Sequence, residues 1–425
     1  MASAASGAHA APAGIAVVGA SLGGLRAAEQ LRAAGWEGPI TVYGDEPHRP
    51  YNRPPLSKEV LAGEATAAAT ALRHRPSIDD VTWRLGMAVD SADLTARTLT
   101  LADGSVHAYE GLVAATGVRP RRLPPAGGPP RHVVRTLEDS VALRSELIEG
   151  VRVLVIGSGF IGCEVAATAR KAGCEVTVVA PEAEPMMLAV GEELGRALRR
   201  RHEARGVRFR MGRLVSEPGD GCVVLDDGSE CAADVVVEAV GSLPNVEWLG
   251  ASEGGTPGLG LDLTDGILCD AHLRIGGLPH AVAVGDVARF PNPRYGALAR
   301  RVEHWSMPGD CARHAARVLV AGLRGEEHGM APFAPLPSFW SDQFDLRVQS
   351  FGLPGVGDRA ELLEGDAESV EGDVVYGYYG GERLVGVVAL GGSKAVALAG
   401  RYRADLMELP DGSDFSPSLG SLPAL

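Results

Sequence analysis

Glycines at a fixed spacing mark the stretch whose chemistry is easiest to infer. Gly157, Gly159 and Gly162 follow the apolar run 151–156 and precede an alanine-rich helical pattern. In a dinucleotide-binding unit the first glycine allows a tight turn, the second lets a pyrophosphate approach the backbone, and the third lets helix and strand pack closely. The pyrophosphate then lies at the helix N-terminus, where free amide groups favour negative charge. The pattern predicts a dinucleotide site, with a purely structural glycine-rich turn as the alternative.

The N-terminal region carries a second copy of this pattern. It consists of an apolar run and small residues: 15–18, Gly19, Ser21, Gly23 and Gly24. Ser21 replaces the middle glycine, and Asp45 ends the next apolar run, where an acid can accept hydrogen bonds from a ribose diol. A hairpin-and-strand pattern follows each copy, at 98–117 and at 223–241. Two copies of one nucleotide-binding unit imply two bound nucleotides, and an enzyme that passes electrons between them.

Length and charge narrow the class of protein. A chain of 425 residues is expected to form roughly two or three domains. The net charge of −14 argues against a general nucleic-acid binder. No apolar run approaches the length of a membrane span, and the first fourteen residues lack the Lys or Arg that starts a signal peptide. The expectation is a cytoplasmic protein that binds neither nucleic acid nor membrane.

The cysteines are isolated along the chain. They are Cys163, Cys174, Cys222, Cys231, Cys269 and Cys311. None forms a CxxC pair, so the spacing predicts no metal site and no redox-active dithiol beside the first nucleotide. Isolated cysteines are usually small buried hydrophobic residues. Electrons would therefore leave directly from a cofactor, which argues against a disulfide reductase.

Several motifs together resemble one family. They are RPYNRPPLSKEVLAG, ATGVRPRRLP, RTLEDS, GSGFIGCEVAATA, VGDVARF, VEHW and FWSDQF, in that order along the chain. The set resembles the flavin-dependent ferredoxin reductases. The resemblance implies an α/β fold with two Rossmann-like domains of the glutathione-reductase type and an α+β C-terminal domain, whose strands match the runs 346–351, 374–379 and 384–390 before a helix at 394–407. The implied boundaries are 1–123 with 246–325 for a discontinuous FAD-binding domain, 124–245 for the NAD(H)-binding domain and 326–425 for the C-terminal interface domain.

The resemblance also implies an activity. Hydride passes from NADH to FAD, and single electrons then pass to a ferredoxin-type iron–sulfur protein that feeds a haem monooxygenase or a dioxygenase. The alternatives are an NADH oxidase or quinone reductase without a protein partner, and a flavin-binding redox sensor with a weakened nicotinamide site. Either a monomer or a homodimer is compatible with the sequence.

The predicted cofactor-binding residues come from the two glycine patterns and from the family motifs. They are Gly19, Gly23, Gly24, Asp45, Arg53, Lys58, Val89, Thr116, Arg135, Gly157, Gly159, Phe160, Gly162, Glu182, Gly241, Gly285, Asp286 and Trp305. By resemblance Lys58 and Glu164 are the catalytic pair beside the reactive nitrogen of the flavin, where a positive charge stabilises the anionic character of the reduced ring. The alternatives are a solvated surface lysine and an acid favoured only by the helix dipole. Phe160 is expected to gate the flavin face or to pack in the core.

The second unit departs from the family where the nicotinamide cofactor is chosen. Ala180 ends the strand at which the family usually has an acid for the cofactor ribose, and Glu182 is a possible substitute. Glu182 and Glu184 offer no cation for a 2′-phosphate and would repel it, so NADH is favoured over NADPH. The departure is also compatible with poor nicotinamide binding.

The region 294–324 is basic within an acidic chain. Its arginines are Arg294, Arg300, Arg301, Arg313, Arg317 and Arg324. Arg313 and Arg317 are four positions apart and so share one helix face. A local basic face can steer an acidic partner, so both are predicted to dock a ferredoxin, with a solvated helix face as the alternative.

Overall fold

A computed structural model describes residues 13–124, 128–219, 221–250, 260–326 and 329–408. The first described segment contains the predicted strand–helix–strand unit. Its elements are β1 (Ile15–Val18), α1 (Leu22–Ala33), β2 (Ile40–Gly44), α2 (Glu59–Ala62), β3 (Thr82–Leu85), β4 (Val89–Asp93), β5 (Thr98–Leu101), β6 (Val106–Ala108), β7 (Gly111–Ala114) and β8 (Val118–Pro120). A 3-10 turn, Pro54–Ser57, precedes α2, and Lys58 separates the two.

The middle of the chain repeats this plan. Its elements are β9 (Arg131–His132), α3 (Leu137–Glu146), β10 (Arg152–Ile156), α4 (Phe160–Lys171), β11 (Glu175–Ala180), α5 (Met187–Glu203), β12 (Arg208–Met211), β13 (Val215–Gly219), β14 (Cys222–Leu225), β15 (Glu230–Ala232), β16 (Val235–Glu238), β17 (Ser242–Pro244) and α6 (Glu247–Gly250). The strands form a parallel sheet in the order β12-β11-β10-β16-β9 and a three-stranded antiparallel sheet in the order β13-β14-β15.

The third segment returns to the first unit. Its elements are β18 (Ile267–Leu268), β19 (Ala281–Ala283), β20 (Ala288–Pro291), β21 (Ala299–Arg301) and α7 (Met307–Arg324). β19 pairs in parallel with β7 and completes the sheet β19-β7-β1-β2-β3. The strands β1, β7 and β19 are buried along their whole length, as expected for apolar runs covered on both faces. The first sheet therefore takes strands from both sides of the second unit, while the domain boundaries stay a prediction.

The C-terminal segment forms an antiparallel sheet. Its elements are β22 (Ser338–Gln343), β23 (Leu346–Gly352), β24 (Arg359–Glu364), β25 (Val374–Gly380), β26 (Arg383–Gly391), α8 (Ser393–Arg401) and α9 (Arg403–Met407), with the strand order β22-β23-β26-β25-β24. The sequence predicts β23, β25 and β26 and omits β22 and β24. The predicted closing helix is divided at Tyr402 into α8 and α9.

The structure tests three further expectations, which concern the cysteines, membrane spans and metal sites. Five of the cysteines are buried and Cys222 is partly exposed, all as single thiols. Across the described ranges, no helix combines the length and the apolar character needed to cross a membrane. Within the same ranges, no group of at least three His, Cys, Asp or Glu side chains has the arrangement of a metal site.

Candidate cofactor-binding site

The glycines of the second unit have the geometry that a pyrophosphate site requires. Gly157 has a φ of +101°, and an added Cβ would lie 2.2 Å from the carbonyl oxygen of Ala239. At Gly162 a Cβ would lie 2.1 Å from the carbonyl oxygen of Gly157, so any side chain would push α4 away from the turn. A Cβ at Gly159 would meet no atom within 4 Å. The neighbouring chain therefore gives no packing reason for Gly159, whose open side suits an approaching ligand.

The first unit reproduces this geometry with its modified pattern. Gly19 has a φ of +115°, and its added Cβ would lie 2.2 Å from the carbonyl oxygen of Ala115. The corresponding Cβ at Gly24 would lie 1.9 Å from the carbonyl oxygen of Gly19. At Gly23 the contacts would be ordinary, the first at 3.4 Å. Ser21 precedes α1 and makes no side-chain cap, so its hydroxyl does not satisfy the helix amides that a phosphate would use.

Only one of the two acids after β2 has its carboxylate available. Asp45 is exposed, and its Oδ1 accepts a hydrogen bond from the backbone amide of Glu46 at 3.0 Å. The carboxylate of Glu46 accepts hydrogen bonds from Arg53 Nη2 and from the Tyr51 hydroxyl, both at 2.5 Å. Arg53 also donates to the carbonyl oxygen of Arg135 at 2.6 Å, which joins the loop after β2 to the start of the middle segment. Asp45 is thus the acid that fits a ribose diol.

A buried carboxyl lies just after β19, and a guanidinium of the middle segment is close enough for its charge to act on it. Asp286 lies in the 3-10 turn Gly285–Val287, whose first residue has a φ of +79°. Burial raises the pKa of Asp286 to about 6, and the charge of Arg135 opposes that rise. Burial also lowers the pKa of Arg135. A doubly wound sheet gathers its ligand contacts at this edge, so the two side chains fit the polar part of a bound nucleotide.

Thr116, Val89 and Gly241 are three further predicted cofactor contacts. Thr116 Oγ1 donates to the carbonyl oxygen of Asn245 at 2.7 Å, so its hydroxyl already has a partner in the chain. Val89 is a partly exposed residue of β4. Gly241 has a φ of +97° between β16 and β17.

Lys58 and Glu164 form a buried ion pair. Lys58 Nζ lies 2.6 Å from Glu164 Oε2, and the exposed fractions of the two side chains are 13% and 6%. Lys58 Nζ also donates to the carbonyl oxygen of Pro54 at 2.9 Å. The Ser57 hydroxyl donates to Glu164 Oε2 at 2.5 Å, and the Ser341 hydroxyl donates to Glu164 Oε1 at 2.7 Å. The carboxylate therefore joins the first unit, the second unit and the C-terminal segment.

The loop that carries Lys58 is held by hydroxyls of the second unit. Thr168 Oγ1 donates to the carbonyl oxygen of Ser57 at 2.8 Å. Ser140 Oγ donates to the carbonyl oxygen of Leu56 at 2.7 Å. Both contacts satisfy backbone acceptors of the 3-10 turn that leads into α2, so the position of Lys58 depends on the docking of the two units.

A chain of buried polar side chains extends beyond the pair. Gln343 Nε2 lies 2.9 Å from Ser341 Oγ, and Gln343 Oε1 lies 2.7 Å from His202 Nε2. Burial lowers the pKa of His202 to about 4. The site residues predicted from the sequence do not include Ser57, Ser341, Gln343 or His202, although the first three belong to the family motifs.

Aromatic side chains from three segments meet beside the ion pair. Phe160, at the start of α4, packs edge-on against Phe339 of β22 with ring centroids 4.9 Å apart. Phe339 also contacts His304, with centroids 5.1 Å apart. Burial lowers the pKa of His304 to about 4, so this ring is neutral near pH 7. The ring of Phe160 is partly exposed, as a residue that contacts a ligand would be.

Trp305 lies at the outer side of this aromatic group. Its exposed fraction is 42%, and its indole packs edge-on against Trp340 with centroids 5.4 Å apart. Trp305 Nε1 donates to Asn52 Oδ1 at 2.8 Å. The indole thus connects the first unit to β22 at the surface.

Glu184 is not the free acid that the sequence suggests. It is 4% exposed, and its Oε2 lies 3.1 Å from Arg199 Nε. Its Oε1 lies 3.6 Å from Arg196 Nε. Two arginines therefore offset the charge of Glu184, so its repulsion of a 2′-phosphate is expected to be weaker than the sequence suggests. Glu182 is partly exposed beyond Ala180 and remains available to a ribose.

Most arginines of the region 294–324 form hydrogen bonds or ion pairs within the chain. Arg294 is buried and donates to the carbonyl oxygens of Ala334 and Met407 at 3.0 and 2.8 Å. Arg301 Nε lies 2.8 Å from Asp265 Oδ1. Arg313 and Arg317 are exposed on α7, and Arg313 Nη1 is 3.0 Å from Asp310 Oδ1. The exposed positive charge is therefore smaller than the sequence implies.

Two units with dinucleotide-type turns, arranged around a buried lysine–glutamate pair, define an oxidoreductase that uses a flavin and a nicotinamide cofactor. Residues 13–308 match the family described as pyridine nucleotide-disulphide oxidoreductase, and residues 338–410 match the reductase C-terminal family. The chain belongs to the pyridine nucleotide-disulphide oxidoreductase family, in the group of FAD-dependent ferredoxin–NAD(P)⁺ reductases. It is an enzyme, and its cofactors are FAD and NAD(P)H.

Curated relatives cover almost the whole chain. The ferredoxin–NAD(+) reductase component of the anthranilate 1,2-dioxygenase system of Burkholderia cepacia is 37% identical over 91% of this chain and 92% of its own. Putidaredoxin reductase of Pseudomonas putida is 33% identical over 88% and 87%. Among solved structures, the covalent putidaredoxin reductase–putidaredoxin complex matches with a TM-score of 0.83 at 31% identity, covering 94% of each chain. The ferredoxin reductase for the CYP199A2 system from Rhodopseudomonas palustris matches with a TM-score of 0.82 at 34% identity, covering 93% and 95%.

Proposed function

We propose that the protein is an NADH-dependent reductase that supplies electrons to a ferredoxin-type iron–sulfur protein, which in turn feeds a haem monooxygenase or a dioxygenase. Bound FAD supplies the chemistry that accepts a hydride and releases single electrons. One observation carries the proposal: a buried Lys58–Glu164 pair at the junction of two dinucleotide-type units. Relatives over nine-tenths of the chain are named as reductase components of dioxygenase systems.

The residues divide between the two cofactors. For FAD we propose Gly19, Gly23, Gly24, Asp45, Arg53, Lys58, Val89, Thr116, Arg135, Gly285, Asp286 and Trp305. For NADH we propose Gly157, Gly159, Phe160, Gly162, Glu182 and Gly241. The FAD domain would comprise 1–123 and 246–325, the NAD(H) domain 124–245 and the C-terminal domain 326–425.

The chemical role proposed for Lys58 is electrostatic. The Lys58 side chain is 13% exposed and so lies in a medium of low dielectric constant, where an ammonium group acts strongly on nearby developing negative charge. Glu164 holds the ammonium in place and balances its charge, so the pair would be preorganised to stabilise negative charge on a bound flavin. Phe160, at the edge of the same cluster, would control access of the nicotinamide to the flavin.

The choice of NADH rests on Glu182. Its partly exposed carboxylate lies beyond the end of β11, where it can accept hydrogen bonds from the ribose hydroxyls of the adenosine half. The same charge would repel a 2′-phosphate. Since Glu184 is paired, Glu182 alone carries this discrimination, so the preference for NADH is expected to be modest.

The partner would meet the protein near α7. Arg313 and Arg317 are exposed there. A positive patch on a chain of net charge −14 would attract and orient an approaching acidic partner. Trp305 and Trp340 lie at the surface between the first unit and the C-terminal domain. We place the reaction in the cytoplasm, in keeping with six cysteines that are all single thiols.

An anaerobic titration of the FAD-loaded protein tests the proposal. Flavin absorbance is followed while NADH, and separately NADPH, is added. Stoichiometric bleaching by NADH, followed by NADH-dependent reduction of an added [2Fe–2S] ferredoxin, is the expected result. Failure of NADH to bleach the flavin would overturn the proposal. Bleaching with oxygen uptake but no ferredoxin reduction would favour a partner-free oxidase.

A further inference from the structure

We infer that Ser341, in the C-terminal domain, is a positioning residue for the Lys58–Glu164 pair and that Gln343 sets the direction of the Ser341 hydroxyl. The inference rests on the proposed function, because it concerns how the pair acts on the flavin. It gives the C-terminal domain a part in hydride acceptance besides its part in forming an interface.

Each oxygen of the Glu164 carboxylate has its own anchor. Oε2 accepts hydrogen bonds from Ser57 at 2.5 Å and from Lys58 at 2.6 Å. Oε1 accepts a hydrogen bond from Ser341 at 2.7 Å, which is its sole donor within the described ranges. A carboxylate anchored at both oxygens cannot rotate about its terminal torsion. A residue of the C-terminal domain therefore fixes the orientation of the carboxylate relative to Lys58 Nζ.

In the orientation that the structure gives the Gln343 amide, the hydrogen bonds behind Ser341 run in one direction. Gln343 Oε1 is an acceptor, so His202 must donate to it from Nε2, across 2.7 Å. Gln343 Nε2 is a donor, so Ser341 Oγ must accept from it across 2.9 Å. The single hydroxyl proton of Ser341 is then left for Glu164.

Burial makes this chain rigid. His202 and Ser341 are 0% exposed, Gln343 is 1% exposed and Glu164 is 5% exposed. Burial also lowers the pKa of His202 to about 4, so the ring is neutral near pH 7, with its one proton on the nitrogen that faces Gln343. Ser341, Gln343 and Glu164 are hydrogen-bonded within this buried network, which favours one arrangement, whereas His202 Nδ1 has no hydrogen-bond partner among the described residues.

The strand that supplies both side chains explains their alignment. Ser341 and Gln343 are two positions apart in β22, where successive buried and partly exposed residues alternate. Phe339 precedes them on the same face and packs against Phe160. One face of one strand thus holds the ion pair and contacts the proposed gate, which is the kind of support that a preorganised site needs.

The test compares Ser341→Ala with Ser350→Ala in the FAD-loaded protein. Ser350 is a suitable control because it lies on the neighbouring strand β23, is also 0% exposed, and its hydroxyl has no hydrogen-bond partner among the described residues. Stopped-flow spectroscopy under anaerobic conditions gives the limiting rate constant of flavin reduction and the NADH dissociation constant. A redox titration gives the flavin midpoint potential.

We expect S341A to lower the limiting rate constant by roughly tenfold, the size expected for one hydrogen bond to a charged group, without changing the NADH dissociation constant. The midpoint potential should become more negative in S341A and stay unchanged in S350A. Ser341→Thr keeps a hydroxyl and should restore most of the rate. Equal behaviour of S341A and S350A would overturn the inference, as would an unshifted potential in S341A.

A second variant covers the case in which S341A does not retain FAD. Gln343→Met preserves the volume but removes the donor that directs the Ser341 hydroxyl, so the rate and potential should fall in the same sense, and an unchanged Q343M would overturn the inference. The wild-type protein separates the two proposals. A wild-type flavin that NADH does not reduce would refute the proposed function, whereas a normal wild type with a silent S341A would refute the role of Ser341 alone.

Discussion

Lys58 Nζ and Glu164 Oε2 lie 2.6 Å apart although 106 positions separate the two residues in the sequence. Lys58 directly precedes α2 in the first unit, and Glu164 lies in α4 of the second unit. Ser341, 177 positions from Glu164, adds the third segment to the same carboxylate. The pair and its anchors are therefore complete only when the three parts of the chain are docked, and under the proposed function this docking would affect flavin reduction.

Replacing the lysine tests the electrostatic role. Lys58→Met keeps most of the side-chain length and removes the charge, so the limiting rate of flavin reduction by NADH should fall by about a hundredfold, as when a preorganised electrostatic group is lost. The flavin midpoint potential should become more negative. Stopped-flow reduction and a redox titration measure both quantities. Lys394→Met, on the exposed surface of α8, should match wild type, and a K58M rate equal to that of the control would refute the role.

The cofactor preference should depend on Glu182. Glu182→Gln removes a carboxylate from the proposed ribose contact, so the NADH dissociation constant should rise by about tenfold while the limiting rate of reduction stays unchanged. Binding of NADPH should improve relative to NADH, because a repulsive charge is gone. Glu193→Gln on the exposed side of α5 is the matched control. A fall in the limiting rate with unchanged affinity would contradict the assignment.

The glycine patterns were readable from the sequence because they report a local requirement. Gly157 needs a φ of +101°, and Gly162 needs the absence of a Cβ beside the Gly157 carbonyl. Both demands arise within a few residues, so they leave a short signature. The parallel strands could be predicted in the same way, because strands covered on both faces must be apolar throughout.

Ser341 and Gln343 could not be found in this way. A strand that covers a core is expected to turn apolar residues inward, whereas β22 turns a serine and a glutamine inward beside Phe339. Their partner is Glu164, 177 positions from Ser341, and no local pattern encodes such a contact. Glu184 shows the same limit, because the arginines that neutralise it lie on a later helix.

His202 should make the fold sensitive to acid. Its pKa is 6.5 in an unfolded chain and about 4 in the folded protein, so the unfolded state binds more protons between these values. The stabilisation is complete above pH 6.5 and is lost as the pH falls towards 4, by up to about 3 kcal/mol. Asp286 works in the opposite direction, because burial raises its pKa to about 6.

A paired comparison isolates the histidine from these other groups. His202→Gln keeps an amide donor near Gln343 and cannot titrate, so its unfolding free energy relative to wild type should improve as the pH is lowered from 7 to 4.5. Urea unfolding at several pH values gives this difference. Ser350→Ala removes no titratable group and should run parallel to wild type. A gap between H202Q and wild type that does not change with pH would contradict the argument.

The last prediction concerns the proposed ferredoxin-docking surface on α7. Arg317→Glu should lower the second-order rate constant for reduction of an acidic [2Fe–2S] ferredoxin by about tenfold at low salt. A charge at the periphery of a protein–protein interface acts mainly on the association rate. The deficit should shrink as salt is raised, since exposed charges are screened. Arg313→Glu should have the smaller effect, because Asp310 already lies 3.0 Å from that guanidinium. Neither variant should slow NADH-dependent reduction of ferricyanide, which needs no docked protein.

Arg210→Glu, at an exposed position on the edge strand β12, controls for the change in net charge. If R210E slows ferredoxin reduction as much as R317E does, net charge rather than the α7 surface governs the encounter, and the proposed docking site is refuted.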